Sequence, residues 1–190
     1  NYRIVIDSEL FEGVLNYGEL ILKGSTAEEI FISTYICHPS MANNELSGPT
    51  MATTLAKWVQ SAERHYSYYF VWVPETIGAV VHLSRERESL TKNTVAAFNL
   101  TCVGDDRATS FLPSKQGNSL ADRVARHALE HLDRGFDEYD FARDRGSLER
   151  HYCAPGADLP MVSIMGSKYG TYPEYHTSLD DLSVVSPAGL

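Results

Sequence analysis

The chain has 190 residues, 43% of them hydrophobic and 22% charged, which suits one soluble globular domain with a sizeable buried core. A total of 16 Lys and Arg against 25 Asp and Glu leaves a net charge of −9, which argues against nucleic acid or an anionic membrane as the main partner. The 3 cysteines are an odd number in no metal-finger spacing, which excludes a disulfide scaffold and points to a reducing, cytoplasmic compartment.

The chain opens on NYRIVID with no initiator methionine, and reads as a single domain over 1–190 taken from a longer protein. Alternating Tyr2, Ile4 and Ile6 predict a strand with one buried face. Residues 19–23 are a second strand, with Gly13 and Gly18 marking the loop before it. Residues 30–37 are apolar almost throughout, as in a strand covered on both faces. Ser47 is a candidate N-cap and Pro49 an early-turn proline for a helix that buries Met51, Leu55, Trp58 and Val59. Residues 67–73 and 95–102 are further core strands, with a helix over 76–88 between them that ends in a charged run. A short strand is expected over 107–112. Ser119 caps a helix to Leu132, with Leu120, Val124 and Leu132 inward and Gly135 as its stop. Residues 136–158 are polar and irregular, 159–165 form a last core strand, and the closing SPAGL resembles the start of a helix. Strands alternating with amphipathic helices predict an α/β fold with a mostly parallel mixed sheet.

In such a sheet the functional groups gather outside the carboxyl ends of the strands. His38, Glu75, Thr101 with Asp105, and His176 each follow a different core strand, so all four groups are expected on one edge. Imidazole with carboxylate is the donor set of catalytic zinc. The remaining histidines have plainer readings. His127 and His131, beside Glu130 and Asp133, belong to a solvated helix face, and His65, His82 and His151 are surface or packing groups. Cys37 and Cys102 are expected as buried thiols. A Cys153–His151 hydrolase would need contact and an orienting acid that sequence proximity does not supply.

Four segments in order, CHPSMANNELSGP from Cys37, VPETIG from Val73, NLTCVGDD from Asn99 and PEYHTSLDDL from Pro173, resemble the zinc aminopeptidase superfamily. That superfamily includes bacterial leucyl aminopeptidases, glutamate carboxypeptidases and glutaminyl cyclases. The similarity is greatest to an aminopeptidase-like branch associated with polysaccharide or natural-product gene clusters, whose members often carry an accessory domain. The resemblance implies that His38 matches the first metal-binding His, Glu75 the general base, His176 the last metal-binding His and Asp180 the acidic residue behind it. The sequence departs from the pattern at three positions. Asn44 stands for the bridging Asp with Glu45 beside it, Thr76 for a Glu ligand, and Thr101 for an Asp ligand with Asp105 and Asp106 nearby. Neutral side chains compensate two dications poorly. The implication is therefore one zinc ion, held by His38, His176 and Glu45, with Asn44 or Asp105 as alternative third ligand.

In the same branch an acidic residue is expected at Leu148, so a substrate contact is missing here, while Glu149, Arg150 and Tyr175 are candidate substrate-binding residues. Of Tyr169, Tyr172 and Tyr175, two are expected to pack the loop. Lys168 reads as a solvated lysine. The implied activity is zinc-dependent hydrolysis of an amide or peptide bond in a small peptide-like or aminoacyl substrate. The alternative is a degenerate member of the fold that binds or scaffolds without catalysis.

Overall fold

A computed structural model describes residues 2–132 and 135–190. Asp133, named above with the solvated face of a helix, lies outside them. In chain order the elements are β1 (Gly18–Leu22), β2 (Glu29–Tyr35), a wide five-residue turn of π-helix (Ala42–Leu46), α1 (Ser47–Gln60) and β3 (Ser67–Val73). Next come α2 (Ile77–Asn93), β4 (Thr94–Leu100), β5 (Ser110–Leu112) and α3 (Leu120–Glu130). The short β6 (Asp137–Glu138), α4 (Phe141–Asp144) and α5 (Glu149–Tyr152) precede β7 (Met161–Met165).

The seven strands form one mixed sheet in the order β1-β3-β2-β4-β7-β5-β6. Its centre, β3-β2-β4-β7, is parallel throughout, so four strands end on the same edge. β1 joins antiparallel at one side and β5 at the other. The period-2 alternation of a two-sided strand assigns the core. Phe31, Tyr69, Val71 and Ala97 face one layer, where α2 and α5 add Ala79, Leu90 and Tyr152. Ile32 and Phe70 face the opposite layer, where α1 adds Ala52 and Ala56. Ala121, Ala125 and Leu129 of α3 pack beside them on Ala96, Phe111 and Val162. No helix among the described residues is long and apolar enough to cross a membrane.

Several expectations are corrected. Tyr2, Ile4 and Ile6 form no strand; residues 2–17 lie outside every regular element, and these three side chains are exposed because no neighbouring strand pairs with them. Ser47 does not cap α1. Its hydroxyl donates to Asn43 O and accepts from Val103 N–H, because the π-turn runs straight into the helix. Met51, Leu55 and Val59 of α1 and Leu120 of α3 pack against the core as expected, but both stripes are centred on alanines: Trp58 is 72% exposed, and Val124 and Leu132 are also exposed. Small residues win because they let each helix axis approach the strands closely. Gly48 shows the limit, since a Cβ there would meet Thr34 Oγ1 and lie 2.6 Å from Leu100 O. The charged run 84–89 lies inside α2 rather than ending it, its side chains mostly toward solvent. Ser119 caps α3 as expected, in a reciprocal capping box with Asp122.

Candidate active site

The parallel strands β2, β3 and β4 deliver Tyr35 to His38, Glu75, and Thr101 to Asp105 to one edge of the sheet, and the loop after β7 brings His176 and Asp180 back over it. The rings of His38 and His176 lie 5.2 Å apart between centroids, tilted by 36°. His38 Nε2 is 3.7 Å from Glu75 Oε2. Four residues of this edge, Ser40 (φ 67°), Thr76 (φ 62°), Cys102 (φ 49°) and His176 (φ 56°), hold left-handed backbone without being glycine. Strain of this kind persists where surrounding contacts fix the chain, and such residues cluster at functional sites.

Each functional side chain has an identifiable support. Glu45 Oε2 accepts from Cys37 N–H at 2.8 Å and from His38 N–H, and its contact with His38 Nδ1 is 3.2 Å. With Nδ1–H directed at that carboxylate, Nε2 keeps its lone pair toward Glu75. Tyr35 meets the His38 ring edge-on at 5.0 Å, and its hydroxyl is 2.6 Å from Thr101 Oγ1. Asn44 Nδ2 donates to the same hydroxyl. Tyr175 stacks on His176 at 3.9 Å and 12°. Asp180 is buried and clamps the start of the π-turn, accepting from Asn43 N–H at 2.7 Å, Asn44 N–H at 3.0 Å and the Tyr172 hydroxyl at 3.0 Å. The His176 loop is thereby fastened to the turn carrying Asn44 and Glu45, with a carboxylate satisfying orphan amides.

Burial raises the Glu75 carboxyl above its usual range, against the Ser147 hydrogen bond and the His38 charge, which lower it, and with Glu149 raising it further. Burial lowers His176, with the neighbouring His38 acting the same way and Asp180 opposing. The tyrosine hydroxyls of Tyr35 and Tyr175 are raised, chiefly by burial.

Other residues named from sequence fall elsewhere. Asp105 is buried: Oδ2 accepts from Asn43 Nδ2 and Ser167 N–H, and Oδ1 from Ser167 Oγ–H and Arg107 N–H. It braces the loop beneath the site. Glu149 lies in the interior rather than at a surface that meets substrate. Oε1 accepts from Gly146 N–H, Ser147 N–H and Tyr169 OH, and Oε2 from Asn99 Nδ2 and Ser163 OH. Leu148 is fully buried in the apolar core, so no substrate contact is missing from a surface there. Arg150 is exposed, with Nη2 3.3 Å from Thr76 Oγ1. Cys37 is exposed, because the strand ends at Tyr35, while Cys102 and Cys153 are buried. Cys153 Sγ is directed at Leu159 O and Met161 O, leaving His151 without the thiol contact a Cys–His hydrolase needs. Lys168 lies over the Tyr169 ring at 4.2 Å rather than free in solvent. His82 is fully buried between the hydroxyls of Tyr69 (2.7 Å) and Tyr152 (2.9 Å). Sequence reasoning missed Tyr35, Asn99 and Ser147. The signal available was that Asn99 and Ser33 are polar residues inside core strands, which require buried partners.

The spacing of the two rings equals that of two imidazoles on one tetrahedral zinc ion. Metal–nitrogen bonds of about 2.05 Å place a ligand ring's centroid roughly 3.2 Å from the ion, and a tetrahedral angle then separates two such centroids by roughly 5.2 Å. The observed separation of the His38 and His176 rings is 5.2 Å. Asn44 Oδ1 is buried with no hydrogen-bond partner among the described residues. Such an orphan acceptor suits a cation.

Comparisons with known proteins bear on the fold and the family. The chain is 40% identical over all 190 residues to a candidate polysaccharide biosynthesis protein with an aminopeptidase-like domain from Clostridium acetobutylicum, and covers 43% of its length. A crystal structure of a candidate peptidase from Clostridium acetobutylicum superposes with a TM-score of 0.87 at 38% identity, over 91% of this chain and 40% of that one. The aminopeptidase from Aneurinibacillus sp. strain AM-1 superposes with a TM-score of 0.75 at 18% identity, over 88% of this chain and 42% of that one, which shows a shared fold. The chain thus spans less than half the length of these relatives. It has the aminopeptidase-like α/β fold, and it belongs to the family described as Domain of unknown function (DUF4910), which matches residues 6–190.

Proposed function

We propose that this domain hydrolyses an amide bond in a small peptide-like or aminoacyl substrate, with Glu75 as general base. The observation that carries the reading is the placement of Glu75 3.7 Å from His38 Nε2, with the His176 ring 5.2 Å from that of His38. His38, His176 and Asn44 Oδ1 would hold one zinc ion, with Glu45 behind His38 as its orienting carboxylate. A zinc ion held by these residues would supply Lewis acidity toward water and a substrate carbonyl. Glu75 takes the proton from the attacking water and delivers it to the leaving nitrogen. Its partly buried setting makes the carboxylate a stronger base than a solvated one, which suits that transfer. Tyr175 keeps the His176 ring in plane, and exposed Arg150, beside Thr76, meets a carboxylate end of the substrate. The relative is described as a polysaccharide biosynthesis protein, and we include modified sugar amides in the proposed substrate class on that basis. Three free cysteines support a reducing, cytoplasmic setting. The longer relatives support an accessory domain that helps shape the substrate pocket.

The test is metal content by elemental analysis alongside turnover of a panel of aminoacyl anilides and dipeptides, with and without chelator. Glu75→Gln retains zinc and loses about 10²- to 10⁴-fold in turnover. Undiminished turnover in that variant would remove Glu75 from the chemistry. One observation favours a second reading, a binding module without catalysis: Thr101, standing where the superfamily has an Asp ligand, is turned into a hydrogen bond with Tyr35. Purified protein that is metal-free, and whose thermal stability ignores added zinc, would establish that reading instead.

A further inference from the structure

Among the described residues one set of three metal-capable side chains has its donor atoms within 4.8 Å of one another: Cys37, His38 and Glu45. The set uses the back of the His38 ring. Cys37 Sγ is 3.5 Å from Nδ1, and Glu45 Oε2 is 3.2 Å from Nδ1. Glu75 faces Nε2, on the other side. In a tetrahedral zinc site, bonds of about 2.3 Å to sulfur and 2.05 Å to nitrogen give an S···N edge of roughly 3.6 Å, and the N···O edge is roughly 3.4 Å. The two edges that meet at Nδ1 match those of such a site, and Sγ and Oε2 lie within 4.8 Å of each other.

The donors are also fixed in advance. Glu75 N–H donates to Cys37 Sγ at 3.0 Å, and the amides of Cys37 and His38 donate to Glu45 Oε2. Burial raises the Cys37 thiol above its usual range, with Glu45 and Glu75 acting the same way and this backbone donor opposing, so the arriving metal itself displaces the thiol proton. Cys37 is exposed, so an ion arrives from solvent and water completes its coordination. Thiolate, imidazole and carboxylate together select thiophilic dications over magnesium or calcium.

We propose that Cys37 Sγ, His38 Nδ1 and Glu45 form a second metal site, behind the catalytic edge, for a thiophilic divalent ion such as cadmium or zinc in excess. Binding releases the thiol proton to solvent, while the single imidazole proton passes through water from Nδ1 to Nε2, so the ring stays neutral. The proton on Nδ1 is the one that Glu45 holds when Nε2 is the outward donor. Occupation of the back therefore removes the contact that orients His38, and the two faces of the ring compete. The site stands on its own distances and does not depend on the hydrolase reading.

The experiment is titration of the 190-residue protein with cadmium, followed by the ultraviolet thiolate-to-metal charge-transfer band. The wild type develops the band with one equivalent; Cys37→Ser abolishes it, Glu45→Gln weakens binding at least tenfold, and His176→Ala leaves it intact. Circular dichroism of each variant verifies the fold. A missing band in the wild type, a band that survives in Cys37→Ser, or a band lost in His176→Ala would overturn the assignment, the last by moving the ion to the front of the ring. The readout involves no turnover, so its failure is separable from failure of the Glu75→Gln test.

Discussion

His82 supplies a quantitative test of the hydrogen-bond network behind the site. Its ring is wholly buried, stacked on Phe31 at 5.8 Å, and bonded at both nitrogens to tyrosine hydroxyls. Tyr69 donates to Glu19 at 2.6 Å, so His82 Nε2–H donates to Tyr69 and Nδ1 accepts from Tyr152, which is the neutral imidazole. Burial lowers the histidine from 6.5 to about 4, with Glu19 opposing. The folded histidine resists protonation while the unfolded one accepts a proton near 6.5, so stability falls as pH drops through that window and levels off below about 4. At 1.36 kcal/mol per pH unit the loss is about 3 kcal/mol. The perturbation is His82→Gln, which hydrogen-bonds and carries no charge at any pH. Urea unfolding from about pH 7.5 to about pH 4 then compares the two proteins, with the other titrating groups cancelling in the difference. Wild type is the more stable at neutral pH, and its advantage shrinks by about 3 kcal/mol toward the acid end. A gap constant across that range would mean that the ring titrates in the fold as it does in the unfolded chain, and a gap that widens toward acid would mean a charged ring with both nitrogens donating to the tyrosines.

Other perturbations probe the site more directly. Gly48→Ala forces α1 away from β2 and β4 and destabilises by about 1–3 kcal/mol in urea unfolding; a neutral result would show that helix and strands are not in close contact. Asp180→Asn loses charge-assisted bonds to two amides, which costs about 2–3 kcal/mol and speeds hydrogen exchange at Asn43 and Asn44. Unchanged exchange there would contradict the clamp. Zinc at about a hundredfold excess over its dissociation constant stabilises the wild type by about 2.7 kcal/mol. His38→Ala and His176→Ala each lose that thermal shift, and equal shifts in both variants would take the ion away from these rings.

The parallel core strands were legible because a strand covered on both faces is apolar nearly throughout, as in 30–35 and 67–73. His38, Glu75 and His176 could be placed together because each follows a strand of one parallel set, and topology alone then gathers them. Orientation was not legible. The centring of α1 and α3 on their alanines depends on how closely a helix packs against the sheet, which hydrophobic periodicity does not encode. Glu45 was read as a ligand because it is a carboxylate near His38. The local geometry that sends its Oε2 to two backbone amides becomes visible only once the π-turn is built. Glu149 was misplaced for a similar reason: a glutamate in a polar stretch reads as solvated, whereas five donors from four parts of the chain enclose it. Tyr2, Ile4 and Ile6 show that alternation alone does not make a strand where no partner accepts the backbone bonds.

The clasp between Asp180 and the amides of Asn43 and Asn44 has a consequence for biosynthesis. During translation the two imidazoles emerge far apart in time, and the earlier one has no companion until the later loop leaves the ribosome and latches. A nascent chain therefore spends the whole interval with that edge incomplete, and the two rings first meet when the later loop latches.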